Sequence, residues 1–293
     1  MRVGLATCAA LPDGFADDHL LAAALSAAGA DPRFAVWDDP DEDWSLFDLV
    51  VVRSTWDYTQ VCDAFLAWAE AVGDRLRNRP AVLRWNSDKR YLAELASEGI
   101  PVVPTTFAGP GDPLPGLEGE VVVKPAVSAG GRDTGRFGPP AHGEAARLIA
   151  LLQEQGRTAM LQPYLESVDR EGETSIVFIA GSVSHVLRKR AVLRPDEVAP
   201  TRDDGIGAAE VMYDEALVGA GSATTAQLRL GEGLIAWLEG RFGEPPLYTR
   251  VDMLADAAGK PVLAELEVVE PCLYLATSDE APSRLAEAIL DSR

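Results

Sequence analysis

At 293 residues with 47% hydrophobic side chains, the chain is long enough for two or three lobes, each with its own core. Its 46 acidic against 26 basic side chains give a net charge of −20, which opposes nonspecific binding to nucleic acid or to an anionic membrane. No apolar run approaches the roughly 20 residues needed to cross a bilayer, and MRVGLATCAALPDGF is too briefly apolar for a signal peptide, so a cytoplasmic protein is expected.

The first segment alternates strand-like and helical runs: RVGLATCA, DDHLLAAALSAAGA, PRFAVWD, FDLVVVRSTW and AFLAWAEAV. This predicts a parallel α/β domain over residues 1–85. The turn after its first strand lacks GxGxxG and carries aspartates, which excludes a standard dinucleotide site. The third strand runs into Arg53, Ser54, Thr55 and Trp56, at the end of a parallel sheet where ligands usually bind. Arg53 there either holds a substrate carboxylate or pairs with a neighbouring aspartate, and Trp56 is either a contact or a core aromatic.

A second lobe is expected over residues 86–162, with a helix in SDKRYLAELASEG, strands IPVVPTTF, EVVVKP and AMLQPYL, and a helix GEAARLIALLQEQ. Residues 163–293 form a third, with strands TSIVFIAG and SVSHVLRKRAV, a polar loop near 196–209, a helix near 222–240, and strands LYTRVDML and PVLAELEVV. Cys8, Cys62 and Cys272 contain no CxxC pair, so neither a disulfide framework nor a zinc site is indicated.

Basic residues are almost all arginine; the lysines are Lys89, Lys124, Lys189 and Lys260. A lysine retained in such a background marks a place that needs a compact ammonium, as phosphate binding does. Lys260, in an AAGKP turn, reads as a solvated surface residue. Lys124 ends a strand that enters a loop containing Ser128, Gly130 and Gly131, where glycines allow backbone N–H groups to approach phosphate oxygens.

The densest signal lies near the C-terminus. Side chains alternate along a strand, so Glu265 and Glu267 share a face, as do Arg250 and Asp252. If AAG turns a hairpin whose paired numbers sum to 517, Asp252 opposes Glu265 and Arg250 opposes Glu267. Opposed carboxylates destabilise a bare sheet, and hard oxygen ligands for magnesium give a reason for the cluster; a solvated acidic hairpin is the plain alternative.

In this order, a helix lysine, a strand lysine with its glycine loop, a QPYL crossover, a basic strand and RVD…ELE resemble the ATP-grasp superfamily, particularly its glutathione-synthetase-like branch. The resemblance implies an α/β chain with an N-terminal parallel domain and two α+β lobes that hold ATP between them. Carried over, Lys89 and Lys124 bind the nucleotide with Ser128, Gly130 and Gly131, while Gln162, Tyr164 and Leu165 form the adenine hinge and Glu173 lies nearby. Asp252, Glu265 and Glu267 are the implied Mg2+ ligands, and Lys189 and Arg250 neutralise the transferring phosphate. Two departures stand out: ELE replaces a more usual ExN, and Ser175 stands where relatives carry arginine, leaving that work to Arg188 or Arg250.

The activity this implies is ATP-dependent joining of an amino-acid-like carboxylate, through an acylphosphate, to nitrogen. TCAALPD, RSTWDY, RWNSDKRYL and VEPCLYL further resemble the D-cycloserine-forming synthetases within the superfamily, which close a ring on O-ureido-D-serine. The competing readings are a two-substrate carboxylate–amine ligase, a simple phosphotransferase and a nucleotide-binding protein without turnover. No nucleic-acid or membrane partner is expected, and a homodimer is left open.

Overall fold

In a computed structural model the protein is described over residues 1–193, 195, 197–198 and 217–292. Most of the polar loop expected near 196–209 lies outside the described residues.

Short apolar runs bounded by turns build the N-terminal sheet: β1 (Arg2–Thr7), β2 (Asp31–Val36), β3 (Leu49–Val52) and β4 (Leu76–Arg77), in the order β2-β1-β3-β4. All its pairings are parallel. Helices α1 (Ala16–Ala27) and α2 (Cys62–Val72) make the crossovers, followed by α3 (Pro80–Asn86) and α4 (Tyr91–Ser97).

The central sheet contains β5 (Thr106–Ala108), β6 (Val121–Pro125), β7 (Gly135–Phe137) and β8 (Ala159–Pro163), backed by α5 (His142–Glu154). The chain continues through α6 (Ser167–Glu171), β9 (Glu173–Ile179), β10 (Ser182–Lys189), β11 (Glu197–Val198), β12 (Val218–Ala220), α7 (Thr225–Phe242), β13 (Tyr248–Ala255), β14 (Pro261–Glu267) and α8 (Ala281–Asp291). Both remaining sheets are antiparallel, ordered β11-β7-β6-β8-β5 and β12-β10-β9-β13-β14.

The segment read as one strand, IPVVPTTF, is broken. Only Thr106 and Phe107 of it join β5, while Val102 makes an isolated bridge to Leu263. Pro101 and Pro104 lack the N–H a continuous ladder needs. Helix α8, absent from the sequence reading, packs on α1 and on β9 and β10. Its Leu285, Ala286 and Ile289 share one core with Leu21 and Leu25 of α1 and Val177 and Ile179 of β9. The last helix thereby joins the N-terminal sheet to the C-terminal one.

Side chains, rather than another strand, secure the outer edge of β14. The Tyr91 hydroxyl donates to Leu266 O at 2.9 Å and accepts from Leu266 N at 2.8 Å. Asn86 gives Leu266 O a second donor at 2.8 Å and accepts from Val268 N at 3.0 Å. Farther along, Pro101 O and Val103 N pair with Leu263. Each buried peptide group so paired avoids a desolvation cost of about 1–3 kcal/mol. Among the described residues no helix is long and apolar enough to cross a membrane.

Candidate active site

The β13–β14 hairpin brings together Arg250 with Glu267 and Asp252 with Glu265 as opposed pairs, the register that strand alternation predicts. Just beyond Asp252 a bulge shifts the register, pairing Met253 with Leu263. Asp256 organises the turn: its carboxylate accepts from Ala258 N and Lys260 N, both at 2.8 Å. Gly259 takes the positive φ of 74° that the reversal needs. Lys260 is exposed at the tip.

Opposed carboxylates on one face are tolerated because cations are threaded between them. Lys124 Nζ lies 3.3 Å from Glu265 Oε2, and Lys89 Nζ lies 3.0 Å from Glu265 Oε1. Lys189 contacts Asp252 at 2.9 Å and also pairs with Glu173. Arg250 grips Asp252 through Nε at 3.0 Å and Nη2 at 3.0 Å, pairs with Glu267, and donates to Cys272 O at 2.8 Å. Lys89 is buried, not a surface lysine, and it also donates to Ser128 O at 2.7 Å. That bond ties α4's leading turn to the glycine loop, where Gly130 and Gly131 adopt positive φ of 62° and 73°.

These contacts set the charge states. Burial opposes ionisation of Asp252, but Arg250 and then Lys189 outweigh it and hold the carboxyl well below its usual range. Burial is likewise outweighed at Glu265 by Lys124 and Lys89, leaving its pKa near about 2. At Glu267 burial prevails over Arg250, with help from the Asp252 and Glu265 charges, and the carboxyl is pushed up to about 7. Burial also raises Glu173 despite Lys189.

Two chambers of about 200 and 220 Å3 meet at this cluster, sharing Lys124, Lys189, Arg250, Glu265, Glu267 and Tyr274 as wall. The first is lined by Lys89, Ser128, Gly130 and Gly131 and reaches Trp56 and Tyr58 of the N-terminal domain. Gln162, Tyr164, Leu165 and Glu173 line the second, alongside the apolar Val103, Leu254 and Ala264. At the strand crossover the Tyr164 N–H is taken by Glu120 O at 2.8 Å, and its ring lies under the Arg136 guanidinium, 3.5 Å from the ring centre. The Leu165 N–H has no partner among the described residues and remains available to a ligand edge.

Other sequence assignments change. Arg188 faces away from the cluster, because neighbouring residues on β10 alternate faces, and its guanidinium donates to Glu171 O at 2.9 Å. Of the two arginines expected to replace the one absent at Ser175, Arg250 lines both chambers and Arg188 lines neither. Arg53, Ser54 and Thr55 line neither chamber; all three are buried. Arg53 Nε pairs with Asp18 Oδ1 at 2.9 Å, Ser54 hydrogen-bonds the same carboxylate, and Arg53 Nη2 reaches Pro271 O at 3.4 Å. The aspartate pairing thus accounts for the charge of this arginine, while its buried Nη1 has no hydrogen-bond partner among the described residues. Only Trp56 of the four reaches the first chamber, held by its indole N–H on Glu270 O at 3.1 Å. Asp18→Asn is accordingly expected to cost at least about 3 kcal/mol of unfolding free energy by leaving a buried guanidinium uncompensated. Chemical denaturation measures that loss, and the KM for ATP should stay near the wild-type value.

Among the described residues no group of three carboxylate, His or Cys side chains stands in metal-cage geometry. The donor set nevertheless fits magnesium, which is usually held by one or two carboxylates together with substrate phosphates and water. Glu265 and Glu267 are partly open to the cleft, whereas Asp252 is closed in by Arg250 and Lys189.

A parallel N-terminal domain, two antiparallel sheets and a cleft of paired lysines and carboxylates define an ATP-grasp ligase. The D-alanine–D-alanine ligase of Bacillus anthracis complexed with ATP shares this fold, with a TM-score of 0.65 at 13% identity over 100% of this chain and 97% of that one. The protein belongs to the D-cycloserine synthetase (DcsG) family. Its sequence is 36% identical over 282 residues to the cycloserine biosynthesis protein DcsG of Streptomyces lavendulae, covering 92% of this chain and 91% of the relative. The crystal structure of D-cycloserine synthetase DcsG superposes with a TM-score of 0.87 at 32% identity over the full length of both chains. The family model for the DcsG N-terminal domain matches residues 3–78. A glutathione synthetase from Ralstonia nicotianae is 30% identical over 144 residues, covering 49% of this chain and 42% of that protein.

Proposed function

We propose that the protein uses ATP and Mg2+ to activate the carboxylate of O-ureido-D-serine and cyclise it to D-cycloserine, in the cytoplasm, as a step of antibiotic synthesis. The observation that carries this reading is the junction of the two chambers at Arg250, Lys124 and Glu265, in a chain of this family. ATP occupies the chamber bounded by Gln162–Leu165, with its phosphates toward Lys89, Lys124 and the Ser128–Gly131 loop. The amino acid occupies the chamber that reaches Trp56.

Arg250 and Lys189 neutralise the carboxylate and the γ-phosphoryl group, so that in-line transfer gives an acylphosphate. Glu265 and Glu267 would hold the metal, with Asp252 fixing Arg250 and Lys189; when bound, Mg2+ would supply charge neutralisation and alignment of the phosphates. The nitrogen joined to the side-chain oxygen then attacks the acyl carbon within the same molecule. It loses its proton, and phosphate leaves with the bonding pair. Product and substrate differ by the carbamoyl group on that nitrogen, whose hydrolysis by one water gives carbon dioxide and ammonia. An intramolecular nucleophile needs no second amine pocket, and holding it near the carbonyl contributes much of the rate.

Incubating the purified protein with ATP, Mg2+ and O-ureido-D-serine alone tests this reading. Cycloserine, ADP, phosphate and ammonia should appear in equal amounts. An inert mixture, with turnover only when a carboxylate and a separate amine are supplied, would identify a two-substrate ligase instead.

A further inference from the structure

Four carboxylates of the cleft are committed to cations: Glu173 to Lys189, Asp252 to Arg250 and Lys189, Glu265 to Lys89 and Lys124, and Glu267 to Arg250. Glu270 differs. The residue is only 9% exposed and lines the first chamber between Trp56, Tyr58, Asn86 and Lys89. Among the described residues its carboxyl group makes no ion pair and no hydrogen bond to another residue, only one from its own backbone N–H, and its oxygens are not sealed inside protein. They open on the chamber.

The backbone around Glu270 is fixed on every side. Val268 N is held by Asn86, Val269 O by the Tyr248 hydroxyl at 2.9 Å, Glu270 O by Trp56 and Pro271 O by Arg53. A carboxyl held this rigidly with no partner beyond its own backbone N–H is a largely unfilled polar contact, which is costly unless a ligand completes it. Burial, reinforced by Glu267 and Glu265 and opposed by Lys89, pushes its pKa up to about 8, so the group is poised to ionise when a further cation arrives.

Resting on the O-ureido-D-serine reading, we propose that Glu270 is the residue that receives the α-ammonium group of the substrate. An α-amino acid whose carboxylate is activated beside Arg250 carries its ammonium on the adjacent carbon. The other cleft carboxylates are already occupied, leaving Glu270 to accept it, with the Trp56 and Tyr58 rings as apolar wall. Two anchored groups on one stereocentre also constrain which enantiomer can direct its side chain toward the acyl carbon.

The test compares wild type with Glu270→Gln and Glu270→Ala using two probes, O-ureido-D-serine and 3-(ureidooxy)propanoate, which lacks the α-amino group. KM is measured for the first and the inhibition constant for the second. In the variants KM should rise on the order of 30-fold or more, because a buried charge pair loses one partner, while the inhibition constant of the deamino compound stays near wild type. Glu270→Gln without substrate should melt no lower than wild type, since it removes an uncompensated carboxyl. Variants that leave KM unchanged, or that weaken both probes equally, overturn the assignment while the cyclisation reading stands. A wild-type enzyme inert toward O-ureido-D-serine overturns both.

Discussion

Glu265→Gln is expected to lower kcat by about 10²–10³-fold, because the one carboxylate that gathers Lys89 and Lys124 at the phosphate site loses its charge. The same substitution should destabilise the nucleotide-free protein. Its folded pKa, about 2, lies below the ordinary 4.5, so ionised Glu265 stabilises the fold above pH 4.5, and that contribution is lost as the pH falls through about 2. The shift corresponds to stabilisation on the order of 3 kcal/mol at neutral pH. Urea titrations of wild type and variant at pH 7 should therefore differ by that order, and the difference should shrink as the pH falls below 4.5. Turnover near the wild-type rate in Mg2+ would remove Glu265 from the metal and phosphate site.

Arg250→Ala should be the most disruptive single change in the cleft. It leaves Glu267 without its counter-ion, leaves Asp252 opposite Glu265 with Lys189 alone, and frees the Cys272 carbonyl, a loss of about 3–5 kcal/mol. Arg250→Lys separates structure from chemistry. One ammonium restores part of the charge but cannot span Asp252, Glu267 and Cys272 O at once, so stability recovers in part while kcat/KM remains about 10²-fold down. Denaturation and steady-state kinetics on both variants read the two effects independently. An active Arg250→Lys enzyme would mean that the guanidinium only holds the hairpin together.

The hairpin was legible in the sequence because strand alternation and a turn of known position determine which side chains oppose one another. The register at Arg250–Glu267 and Asp252–Glu265 follows from that arithmetic, but the bulge after Asp252 does not, since no residue there marks an extra position. The lysines were legible through their scarcity, and the cleft gathers Lys89, Lys124 and Lys189 while Lys260 stays at the turn. The Arg53–Asp18 pair was left undecided because its members lie 35 positions apart on different elements, and only the packing of α1 against β3 brings them together. Arg188 was misplaced by the need to replace a family arginine, although strand alternation already put it opposite Lys189. Glu270 drew no assignment; the available signal was a lone acid in the apolar run VVEPCLYL, where an unpaired charge needs a reason. Helix α8 was overlooked because SDEAPSRLAEAILD begins with polar and proline residues, yet Pro282 sits in its first turn, where proline is favoured.

The side chains of Tyr91 and Asn86, with residues 101–103, satisfy peptide groups along the outer edge of β14. An open strand edge is a template on which a second chain can grow, and proteins block such edges to avoid aggregation. Here the strand that carries Glu265 and Glu267 is capped along that edge, so it offers no foothold for intermolecular strand addition. Self-association by strand addition is therefore closed at this edge, and loosening the Tyr91 or Asn86 contacts should show first as clumping on heating.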